Sequence, residues 1–167
     1  MEKRSHVFAM AGLVFGILML VGGVSAAPTN ISSCTTINQS GVYVLNKSII
    51  NITTVPVWSW TGCINIKSSN VILDGQGYTI DGVDASGTYG VFVYNASITL
   101  TNVTVKNLVV SDWHTGILYA KSENGTFVNI TATSNFDNGI AISGSSNNMI
   151  ANNTANSNPY GIKVASG

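Results

Sequence analysis

The richest acidic stretch of the sequence is LDGQGYTIDGVDASG, which carries Asp74, Asp81 and Asp84. Three carboxylates this close could coordinate calcium, or supply the acid and base for cleaving a glycosidic bond. Turn formation competes with both readings, because Asp74-Gly75 and Asp81-Gly82 are each Asp-Gly bends. No D-x-D-x-D-G calcium loop and no adjacent pair of aspartates is present. The second candidate is SDWHT, residues 111–115, where an acid, an indole and an imidazole sit together. Asp112 and His114 could act as acid and base while Trp113 stacks on a sugar. Residues two apart in a bend rarely point at one focus, however, and no third orienting group accompanies them. The expectation is a chain without a catalytic residue, with Asp74, Asp81, Asp84, Asp112 and His114 as the candidates a structure must place.

Other side chains narrow the chemistry. Trp58 and Trp60 in VPVWSWTG, like Trp113, are candidate sugar-stacking surfaces, and the first two could equally roof the end of a core. A copper site would need His, Met and thiolate ligands. Beyond residue 26 the chain offers His114, Met149, Cys34 and Cys63, so no metal and no cofactor is expected. The same stretch has five lysines, six acids and no arginine. That near-neutral balance argues against nucleic acid as a partner. It also argues against a tight grip on polyanionic sugars, for which Arg forks are favoured.

The first residues read as an export signal. Lys3 and Arg4 precede an uncharged, mostly apolar run from Val7 to Val24, and Val24-Ser25-Ala26 supplies small residues for cleavage. Residues 1–26 are therefore expected to be a signal peptide, with a retained membrane anchor as the competing reading. The remaining ~140 residues suit one domain. In an exported chain an even cysteine count reads as a Cys34–Cys63 disulfide, and the two-thiol metal alternative lacks C-x-x-C spacing and nearby histidines. Nine N-x-S/T sequons occur, at Asn30, Asn38, Asn46, Asn51, Asn95, Asn102, Asn124, Asn129 and Asn152. Asn95, Asn102, Asn124, Asn129 and Asn152 are the glycosylation candidates, although Asn and Thr are also turn residues.

What must position these residues is a repeat. Gly62, Gly90, Gly116, Gly139 and Gly161 each open an apolar alternation, with spacings of 28, 26, 23 and 22. The alternating pairs are Ile64/Ile66, Val91/Val93, Ile117/Tyr119, Ile140/Ile142 and Ile162/Val164, the first one residue later in phase. Period two means strands with these side chains on one face. Aligning the units on N-x-T superposes Asn102, Asn129 and Asn152, puts Leu100, Phe127 and Ile150 in one column with Leu73, and aligns Asn107, Asn135 and Asn158. A single unit cannot bury its own short strands, whereas stacked units can. Coils of about 22–28 residues imply a parallel β-helix over 62–167, with asparagines in the bends. Residues 27–61 show no repeat and one clear strand, Val42 to Leu45, and are expected to cap the first coil. At the other end Ile162 and Val164 open a coil that is incomplete at Gly167, so further coils or end-to-end association is expected.

SSCTTINQSGVYVLNKSI, GCINIKSSNVILDGQGYTIDG and GIAISGSSNNMIANNTANSN together resemble secreted right-handed β-helix proteins of archaeal, methanogen-like cell surfaces. The later units are also similar to NosD-type copper-maturation repeats and to carbohydrate-binding and sugar-hydrolase β-helices. The resemblance implies an all-β, right-handed, pectate-lyase-like solenoid at the cell envelope. It implies a cell-surface polysaccharide or surface protein as partner. A polysaccharide-active lyase or hydrolase is the alternative to a non-catalytic module.

Overall fold

The computed structural model describes residues 27–52 and 61–165. Trp58, Trp60 and the expected signal peptide lie outside the described residues. Fifteen strands follow one another among the described residues: β1 (Thr29–Ile31), β2 (Thr35–Ile37), β3 (Gly41–Leu45), β4 (Thr61–Ile66), β5 (Val71–Asp74), β6 (Thr79–Asp81), β7 (Thr88–Val93), β8 (Leu100–Thr101), β9 (Thr104–Ser111), β10 (Thr115–Ala120), β11 (Ser122–Glu123), β12 (Thr126–Thr133), β13 (Asn138–Ser143), β14 (Met149–Ala151) and β15 (Tyr160–Ala165). One sheet runs β1-β3-β5-β9-β12-β14, with β6 also on β9; a second runs β15-β13-β10-β7-β4-β2; β8 and β11 form a two-stranded third. Every pairing is parallel and joins a strand to its counterpart one coil away. The molecule is an all-β parallel β-helix.

The apolar alternation fills the interior. Ile64, Val91, Ile117, Ile140 and Ile162 form one column, and Ile66, Val93, Tyr119, Ile142 and Val164 the next. All but the last member of each are buried, whereas Ile162 is 43% and Val164 67% exposed. Each fully buried aliphatic side chain is worth about 1.5–3 kcal/mol, so the ladder is the main source of stability. The glycines of this wall have a packing reason. A Cβ on Gly90, Gly116 or Gly139 would lie 2.7, 2.6 or 2.6 Å from the carbonyl oxygen of the glycine one coil on. Gly62 pairs with Tyr89 instead, which accounts for the one-residue phase offset of the first unit.

The column alignment built on N-x-T needs correction. Leu73, Val105, Phe127 and Ile150 are in register, not Leu100, which pairs with Ser122. Asn70, Asn102, Asn124 and Asn147 occupy one bend, and Asn107, Asn129 and Asn152 the next, all with φ between 52° and 57°. Three successive coils thus have two asparagine bends five residues apart, whereas Gly75 takes the second position after Asn70; Asn-x-Thr occurs at both bends, so the motif alone cannot tell them apart. Likewise Asn135 and Asn158 stack beneath Trp113 rather than Asn107. Asn tolerates this left-handed backbone, and the side chains link the coils. Asn102 Nδ2 donates to Asn70 Oδ1 at 2.9 Å, and Asn129 Nδ2 to Asn107 Oδ1 at 3.2 Å.

The segment expected as a cap contributes rungs itself. β1 and β3 continue the first sheet and β2 the second, with Ile31, Ile37 and Leu45 buried. Strands of three to five residues place one to a few side chains inside, too few for a period to register. Cys34 and Cys63 form a disulfide with Cα atoms 4.4 Å apart, tying this segment to β4. Closing a loop of this length stabilises by roughly 3–4 kcal/mol in the chain-entropy picture.

Candidate functional site

The structure divides the acid and base candidates. Asp74 is buried, and its carboxylate accepts bonds from Gln76 N at 3.0 Å and Asn107 Nδ2 at 3.1 Å and pairs with Lys106 Nζ at 3.1 Å. Burial pushes its carboxyl up, but these bonds together outweigh burial and hold it below the ordinary value. Asp81, Asp84 and Asp112 gather at a different bend. Asp81 accepts from Ser111 Oγ at 2.6 Å and from Asn51 N at 3.2 Å, and Asp84 N donates to the Asp112 carbonyl at 2.6 Å. Burial, a bond with Asp81 and the charges of Asp81 and Asp84 all raise the Asp112 carboxyl above the ordinary aspartate value. His114 points elsewhere, its ring 5.7 Å from that of Phe136. Trp113 between them is buried, with Nε1 donating to the Ile80 carbonyl at 3.1 Å. An indole in the core has no free face, so the expected stacking role for Trp113 is corrected to a core role. No group of three or more His, Cys, Asp or Glu among the described residues could hold a metal ion.

Among the described residues, two of the surface cavities are lined by other residues altogether. The smaller, about 450 Å³, lies beside Cys34 and is bounded by Ser32, Ser33, Lys47, Ser48 and isoleucines 49, 50 and 52. The larger, about 730 Å³, opens on the outer face of the second sheet. Its floor is Phe92, Tyr94, Leu118 and Ala120, and Lys67, Asn95, Ser97 and Ser143 supply the polar rim. The floor follows from strand alternation: Phe92 and Leu118 pair side by side one residue out of phase with the buried Val91 and Ile117. Tyr89, Phe92 and Tyr94 form a row, with ring centroids 4.9 and 5.4 Å apart and planes inclined by 25° and 14°.

A loop walls this groove. Val93 and Tyr119 occupy one column and Leu100 and Ser122 another. Six residues, Tyr94 to Thr99, separate Val93 from Leu100, whereas two, Ala120 and Lys121, separate Tyr119 from Ser122. The longer loop is tied to its neighbours at two points, Asn95 Nδ2 to the Lys67 carbonyl at 2.9 Å and Lys121 Nζ to the Ala96 carbonyl at 3.0 Å, and is braced internally by Ser97 N to Asn95 Oδ1 at 2.9 Å. The 26-residue spacing from Gly90 to Gly116, against 23 and 22 afterwards, is the trace this loop leaves in the sequence.

The sequons fall on both asparagine bends. Asn102 and Asn124 are neighbours in one column, and Asn129 and Asn152 in the other. Asn95 is held at both ends of its amide, as above. Adjacent members of a column sit one coil apart, ~4.8 Å, so two bulky substituents cannot occupy neighbouring rungs without crowding.

Parallel stacking of the same strand positions through successive coils defines a β-helix solenoid. The chain belongs to the right handed beta helix region family, whose pattern matches residues 16–167. No curated protein and no solved structure matches the chain.

Proposed function

We propose that this chain is an exported β-helix module of the cell surface, N-glycosylated, with a structural or carbohydrate-binding role and no catalysis of its own. The observation that supports this reading is the separation between the acid and base candidates and the two cavities. Asp74 is spent on Lys106 and Asn107, Asp81 and Asp112 on each other and on Ser111, and neither cavity is lined by an aspartate or His114. Glycoside cleavage needs two carboxyl groups facing one bond across a space that a sugar can enter. A preformed groove with an apolar floor and a polar rim is instead the form of a binding site. The partner is then a cell-envelope polysaccharide or a surface protein, and the rung at Ile162 and Val164 is covered by further coils or by an end-to-end contact.

The enzyme alternative draws on one observation, the raised carboxyl of Asp112 beside Asp81, since such a pair can hold a proton for transfer. A glycan array probed with the exported protein, together with its intact mass, tests the primary reading. Retention on glycans and masses above the polypeptide by whole saccharides are the expected results. An unmodified mass with no glycan retained would refute it.

A further inference from the structure

We infer that the groove between the Tyr94–Thr99 loop and the β10 face is the carbohydrate site, and that its ligand is a neutral pyranose chain. This inference rests on the carbohydrate-binding reading above and deepens it by naming the site and the sugar class. Four features carry it. First, the floor is apolar, formed by the half-buried Tyr94, Leu118 and Ala120, with the buried Phe92 beneath them. The C–H face of a pyranose ring is the apolar surface that such side chains cover, and aromatic rings do so over a large area with little entropy loss.

Second, the rim presents the Ser97 and Ser143 hydroxyls and the second N–H of the Asn95 amide, suited to sugar hydroxyls that both donate and accept. Third, charge favours a neutral ligand. Among the described residues Lys67 is the only charged side chain lining the groove, and the nearby Lys121 amine is committed to the Ala96 carbonyl. A uronate polymer brings a charge on every unit, and one lysine without an arginine fork cannot answer it. Fourth, the lining residues come from four successive coils: Lys67 after β4, Tyr94 after β7, Ala120 on β10 and Ser143 on β13. Three steps of ~4.8 Å give a length of ~14 Å, which fits a short oligosaccharide better than a single ring. The two bonds that tie the loop to its neighbours and the turn inside it hold the wall in place before any ligand arrives, so little ordering cost opposes binding.

The test is isothermal titration of the full-length exported protein with soluble gluco-, galacto- and manno-configured tetrasaccharides and with tetragalacturonate. Amide NMR shifts of Asn95, Ala96 and Ser97 are followed in parallel. The expected result is binding of at least one neutral tetrasaccharide with shifts centred on these amides. Tyr94→Ala should weaken it at least tenfold, and Ala120→Trp should abolish it by filling the groove from an outward position. Unchanged spectra elsewhere verify that both variants fold. Neutral-sugar binding that both variants leave intact would overturn the site while sparing the carbohydrate reading. Binding of tetragalacturonate alone would overturn the assigned ligand class. Failure of all four sugars, with a glycan array also blank, would overturn the reading on which the site rests.

Discussion

Asn158 Oδ1 accepts both the backbone N–H and the side-chain amide of Asn135, each at 2.9 Å, across 23 residues of sequence. Asn135 in turn accepts the Trp113 N–H at 3.2 Å, and Asn158 Nδ2 donates to the Ala132 carbonyl at 2.9 Å. These two side chains therefore satisfy backbone groups of three successive coils at one inner bend. Asn135→Ala leaves the buried Trp113 amide without its partner. The expected loss is about 1–3 kcal/mol, read as a lower midpoint in urea. An unchanged midpoint would show that water replaces the amide.

Ile140 and Lys163 test the strand phase. Ile140 is fully buried in the inner column, whereas Lys163 faces outward with Nζ 4.9 Å from the Tyr160 ring centroid. Ile140→Asn should cost several kcal/mol, on the order of 3–5, by placing an unpaired amide among aliphatic side chains. Lys163→Asn should change stability by less than about 0.5 kcal/mol, as exposed substitutions do. Equal melting temperatures for the two variants would mean the phase is reversed.

Much of this was legible in the sequence because it repeats as strand alternation. The Gly-Ile-x-Ile phrase sets an inner column at Ile64, Val91, Ile117, Ile140 and Ile162, and the structure keeps that register. Asparagine could not set a register, since Asn102 and Asn107 serve two bends of one coil with the same chemistry. Trp113 looked like a surface aromatic because its neighbours are polar. It is core because Gly82 and Gly90 leave room for its indole, a relation across coils that no local window contains. The groove was missed for a similar reason: Phe92, Leu118 and Ser143 are far apart in sequence, and only coil stacking brings them to one face.

The two classes of aspartate give opposite responses to pH. Asp74 has a folded value below the ordinary 3.8, so its contribution is present above that value and is lost as pH falls through the folded one. Asp112 has a folded value above 3.8, so its contribution is present below 3.8 and is lost as pH rises through the folded one. Asp74→Asn should therefore lower the melting temperature at neutral pH and matter less in acid. Asp112→Asn should raise it at neutral pH, because it removes a carboxylate held beside Asp81 and Asp84. Parallel pH series for the two variants that move in the same direction would contradict the cluster.

Among the described residues β15 has one unpaired edge and Ile162 and Val164 are exposed, which further coils or an end-to-end contact would cover. Light scattering over a range of concentrations should give a mass that rises with concentration, and Val164→Lys should suppress the rise by placing a charge over the open rung. A constant monomer mass for the unsubstituted protein would remove this contact from the account.

The coil, on the function proposed above, binds sugar without cutting it. The most direct measurement incubates the exported protein with neutral and uronic polysaccharides and follows chain length and new reducing or unsaturated ends by mass spectrometry, alongside the melting temperature of the protein. The account predicts a higher melting temperature with a neutral polysaccharide and an unchanged polymer. Shortened chains that appear with the unsubstituted protein and vanish with Asp112→Asn would contradict it.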